Sequence, residues 1–100
     1  MKILNLDEAL QLYDLLGEYL PDEEEPNSII NFVGKIVNNI KENSRPEIYI
    51  QSISLMSDFS EDDLLSMTSE QVLQLFIQGV MENQLPSLKK FCETIGYKNA

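Results

Sequence analysis

Asp58, Ser60 and Asp62 occupy alternate positions in the run Asp58-Phe59-Ser60-Glu61-Asp62. That is how a calcium loop begins, with oxygen donors on every second residue converging on a hard cation. The pattern fails where the loop's sharp turn needs glycine, because the chain has Asp63 there. It fails again where a bidentate glutamate is needed, because Ser69 stands in that place. The same residues make a helix start without any metal, since Ser60 followed by Asp63 forms a capping box.

Other reaction chemistry is scarcer still. The chain has no histidine, which removes the usual general base and the commonest metal ligand together. A Cys–His nucleophile pair is therefore impossible, and a zinc site would need more than Cys92 and carboxylates. Cys92, the only cysteine, follows Phe91 and precedes Ile95 by less than one helical turn, and reads as a small apolar core residue. Gly17, Gly34 and Gly79 interrupt helical runs but form no phosphate-binding loop. The expectation is a protein that is not an enzyme and uses neither metal nor cofactor.

The elements that position these residues belong to one domain of 100 residues, 43% apolar. That size can bury a core without disulfides. Net charge is −10, and between Ile3 and Gly34 eight carboxylates occur with no lysine or arginine. Such a field opposes contact with phosphate backbones or anionic lipid, so neither nucleic acid nor membrane is an expected partner. No apolar run approaches a bilayer span, and no signal core follows Met1. The expected location is the cytoplasm.

Spacing and punctuation predict an all-α fold, a compact bundle of five or six short helices. Asn5 with Glu8 opens the first helix, whose stripe of Leu6, Ala9, Leu10, Tyr13, Leu16 and Leu20 ends at Pro21, with Leu12, Leu15 and Tyr19 as surplus. The segment 21–26 sets four carboxylates between two prolines and reads as an extended, mobile acidic linker. Asn27-Ser28 caps a helix to about Asn43, and Pro46 starts the next, through Ser57. Alternation of Ile48, Ile50, Ser52 and Ser54 suggests a strand there, but no partner strand is in sight. Ser60 opens a short helix to about Met67. Thr68 opens a longer one to Met81, Asn83 to Pro86 breaks it, and Ser87 to Ile95 closes a hairpin that stops at Gly96.

Apolar residues on this closing region outnumber what one packing face requires. Leu64 and Leu65 on the short helix, with Leu73, Phe76, Ile77, Val80 and Met81 on the longer one, are the candidate partner-binding residues. The run from Ser60 to Phe76, SEDDLLSMTSEQVLQLF, followed by a polar break and a brief helix to Phe91, resembles the tail assembly chaperones of long-tailed bacteriophages. The resemblance covers roughly residues 28 to 97 and rests on helical pattern and size rather than an invariant motif. It implies a non-enzymatic protein of the infected host's cytoplasm, absent from the mature virion. Such a protein would bind the tape measure protein and help recruit tail tube subunits, with self-association and a frameshifted longer product both open. Two other readings stand beside it. One is a small acidic inhibitor that mimics DNA through the Asp7 to Glu25 carboxylates; the other is a bacterial helical adaptor or antitoxin-like partner.

Overall fold

The computed structural model describes residues 1–98. Six helices follow one another: α1 (Leu6–Leu16), α2 (Ile29–Glu42), α3 (Pro46–Leu55), α4 (Glu61–Leu65), α5 (Ser69–Glu82) and α6 (Leu85–Thr94). No strand occurs among the described residues. The Cα radius of gyration of 12.7 Å matches the ~13 Å of a compact chain of about this length.

The starts are where the capping residues place them. Asn5 accepts from the Glu8 amide while Glu8 accepts from the Asn5 amide, and Ser60 with Asp63 and Thr68 with Gln71 repeat the exchange. Ser28 caps α2 through the Asn31 amide, and Pro46 is the first residue of α3. Ser52, which alternation could have placed on a strand, is buried inside α3. Its hydroxyl is satisfied by the Ile48 carbonyl at 2.7 Å, and this allows a polar residue on the inner face of a helix.

Two boundaries differ from the sequence reading. α1 does not run to Pro21 but ends at Leu16 and tightens into a 3₁₀ turn over Gly17–Tyr19. There the Asn39 carboxamide on α2 donates to the Tyr19 carbonyl at 2.9 Å, replacing the helical bond. Gly17 is needed because a Cβ would lie 2.9 Å from the Tyr13 ring. Leu12 and Tyr19, read as surplus, are buried, whereas Leu6 is 58% exposed. At the other end α6 starts at Leu85, so Pro86 lies inside the first turn, where a missing amide is harmless, rather than in the break. Gln84 makes the break instead, in the left-handed region at φ 50°.

The segment 21–26 is not a free linker. Asp22 pairs with Lys89 at 2.8 Å, Glu24 approaches Lys90 at 3.9 Å, and Glu23 pairs with Lys35. Its like charges are thus laid against cations of α2 and α6. Each such exposed pair contributes only about 0–1 kcal/mol, so the docking is collective. The chain ends are tied more specifically. The Asn83 carboxamide accepts from the Leu4 amide at 2.9 Å and donates to the Lys2 carbonyl at 3.1 Å and the Gly79 carbonyl at 3.2 Å. At the far end the Tyr97 ring meets Tyr13 edge-on and its hydroxyl donates to Asp14, a hydrogen bond that together with burial holds the phenol above its ordinary pKa. α6 closes with a Schellman pair, Tyr97 N–H to Cys92 O and Gly96 N–H to Glu93 O, with Gly96 at φ 73°.

α2 ends in the same motif, but Ser44 occupies the left-handed position at φ 53°. Ser44→Gly should therefore raise stability by ~0.5–1 kcal/mol in urea unfolding, and no rise would show that the turn is unstrained. Asn83→Ala leaves the part-buried Leu4 amide and Lys2 carbonyl unpaired and should lower stability by about 1–2 kcal/mol. An unchanged urea midpoint would mean that the Asn83 tether carries no load.

Candidate functional site

The apolar residues of α5 divide into two ridges because the helix advances 100° per residue. Val72, Phe76, Gly79 and Val80 face inward and are buried. Leu73, Ile77 and Met81 recur every fourth residue on the flank, 38% exposed, half-buried and 55% exposed respectively. Both ridges satisfy helical spacing, and only the packing of neighbours distinguishes them. α2 and α3 both pack on α5, with the Tyr49 ring of α3 edge-on to Phe76 at 5.2 Å. Gly79 admits a tight approach, since a Cβ there would lie 3.0 Å from the Met56 thioether.

The seven candidate residues are therefore not one surface. Leu64, Phe76 and Val80 are at most 1% exposed and belong to the core. In this fold they cannot touch a partner. Leu65 is 70% exposed, and with Leu73, Met81 and the edge of Ile77 it faces outward. Adjacent leucines on the five-residue α4 point about 100° apart, so one turns in and the other out.

Other apolar residues lie on a different flank, since Leu75 is turned about 160° from both Leu73 and Ile77 on α5. Phe59, Met67 and Leu75 line a groove of about 430 Å³ between the residue preceding α4 and the first turns of α5, rimmed by Glu70, Gln71 and Gln74. Phe59 and Met67 each stand immediately before an N-cap, where an apolar residue folds back over the first turn of the coming helix. That position is the sequence signal that could have identified them. Phe91 on α6 and Ile95 at its C-cap are also about half exposed, at 45% and 51%.

The groups with chemical potential are used structurally. Ser60 and Asp63 of the calcium-like run hold each other's amides at 3.1 Å and 3.0 Å as a helix cap. Among the described residues no group of three or more His, Cys, Asp or Glu is arranged to hold a metal ion. Cys92 is wholly buried, and burial together with the nearby Asp14 carboxylate pushes its thiol pKa up, away from the nucleophilic thiolate. No described helix is long and apolar enough to cross a membrane. No family model, no curated protein and no solved structure matches the chain.

Phe76→Asp puts an unpaired charge in place of a core ring and should cost more than ~4 kcal/mol, enough to unfold much of a domain of ordinary stability. Leu65→Asp, at an exposed position, should stay within about 0.5 kcal/mol of the parent. Thermal unfolding followed by circular dichroism separates them. Equal losses would contradict this division of inner and outer ridges.

Proposed function

We propose that the protein is a non-enzymatic assembly chaperone that captures an apolar helical client on the outer face of α4 and α5. The client suggested by the resemblance to long-tailed bacteriophage chaperones is the tape measure protein, with tail tube subunits recruited afterwards, in the cytoplasm of the infected host. The observation that carries the reading is the apolar surplus left after the core is closed: Leu65, Leu73 and Met81 remain 38–70% exposed, and Ile77 is only half-buried. Outward apolar residues at helical spacing are what a helix-in-groove interaction uses. Met81 and Met67 add side chains that adapt to clients of differing shape.

The inhibitor reading gains less from the surface. A DNA mimic needs unopposed carboxylates, and Asp22, Glu23 and Glu24 already face Lys89, Lys35 and Lys90. A helical adaptor or antitoxin-like partner would use the same apolar face and differ only in what it holds.

Co-expression with the tape measure protein tests the reading. The native chain should retain the client through purification, and the folded triple variant Leu65→Asp, Leu73→Asp, Met81→Asp should retain at least about tenfold less, as expected when several interface anchors are lost. Equal retention by a variant with native circular dichroism would overturn the assignment.

A further inference from the structure

The four connections that follow α2 are pinned by backbone hydrogen bonds. Asn43 to Arg45 donate into the end of α2, Met56 and Ser57 into α3, Ser66 and Met67 into α4, and Asn83 and Gln84 into α5. The connection from α1 to α2 differs. From Pro21 to Asn27 no backbone amide or carbonyl makes a hydrogen bond among the described residues. The segment has no anchor in the core either, since its only apolar side chains are Pro21 and Pro26, both partly exposed.

What holds it in place is charge. Asp22 reaches Lys89 at 2.8 Å, Glu24 stands 3.9 Å from Lys90, and Glu23 pairs with Lys35. Lys89 also donates to the Leu20 carbonyl at 3.4 Å, just before the segment begins. These pairs lie in water, and the Asp22 side chain is 84% exposed. Exposed pairs each shift an equilibrium by no more than about fivefold, so three together favour the docked form by roughly a hundredfold at most. At about 1 M salt the screening length falls to ~3 Å, comparable with the pair separations themselves. Docked and free forms then approach parity.

We propose that residues 21–26 form a strap latched by charge, which releases from α2 and α6 as ionic strength rises while the six helices stay folded. Four successive carboxylates, Asp22 to Glu25, repel one another once their partners are screened and favour an extended, free strap. Closed, the strap covers a crevice of about 230 Å³ against Pro86, Lys89 and Lys90. It also masks three of the chain's seven cations. Open, it returns Lys35, Lys89 and Lys90 to solvent. The device is independent of which partner α4 and α5 take.

A nitroxide attached to the full chain at Glu25→Cys tests it. Among the described residues Glu25 forms no ion pair, and Cys92 is buried away from the label. At low salt the nitroxide should broaden the NMR amide signals of Ser87 to Lys90 on α6. Raising the salt from about 0.05 M to about 1 M should cut that broadening by roughly half, as docked and free forms near parity. The variant Lys35→Gln, Lys89→Gln, Lys90→Gln should show the reduced broadening already at low salt. The α5 amide signals should keep their folded pattern throughout, which separates release of the strap from loosening of the bundle.

Equal broadening at both salt levels would overturn the inference, as would a triple variant that keeps the full low-salt effect. No broadening at low salt would show that the segment is not docked, and would overturn it too. Loss of the folded α5 pattern at the higher salt would mean that the bundle itself opens, which contradicts a strap that releases alone.

Discussion

Helices of five to fourteen residues cannot persist singly, since an isolated helix shorter than about 12–15 residues is marginal in water. Every element here therefore depends on a shared interior. Phe76 is its fixed point, wholly buried and held edge-on by Tyr49, on a helix against which α2, α3 and α6 all pack. Once Phe76 and Val80 face this interior, the geometry of α5 leaves Leu73, Ile77 and Met81 on the flank. The outward apolar ridge is a consequence of the core, not an addition to it. What the core leaves uncovered is the surface available for binding.

Polar groups then fix how the short helices meet. Three carboxamides do most of this: Asn5 starts α1, Asn39 ends its following turn, and Asn83 binds the backbone of residues 2 and 4. Each answers backbone groups that a helix end or an extended segment leaves open, and this is costly to omit where water is partly excluded. Charge is arranged by a different rule. With only seven cations against seventeen carboxylates, their placement decides which acidic regions remain unopposed. Lys35, Lys89 and Lys90 answer the 21–26 segment, while among the described residues Glu70 and the three α4 carboxylates form no ion pair.

The helix count and nearly every helix start were legible in the sequence, because caps and prolines are local chemistry. Ser60, Thr68 and Ser28 needed only their neighbours three residues on. Docking of the acidic segment was not legible, because Lys89 and Lys90 lie more than sixty residues away in sequence. The start of α6 was missed because Pro86 looks like a break, whereas the first turn of a helix needs no amide from it. The candidate site was half legible. Spacing identified both ridges of α5 as apolar but could not say which one would be covered, so Phe76 and Val80 were grouped with Leu73 and Met81. Phe59 and Leu75 were passed over because the groove they line with Met67 exists only once the residues before α4 fold against the first turns of α5.

The most direct test of a client face opposite the core is methyl-detected NMR of the folded protein titrated with its client. Binding on the outer ridge predicts shifts concentrated at Leu65, Leu73, Ile77 and Met81, with Leu12 and Ile36 of the core unmoved. Shifts confined instead to the surroundings of Asp22 to Glu25, with the α4 and α5 methyls unchanged, would contradict it.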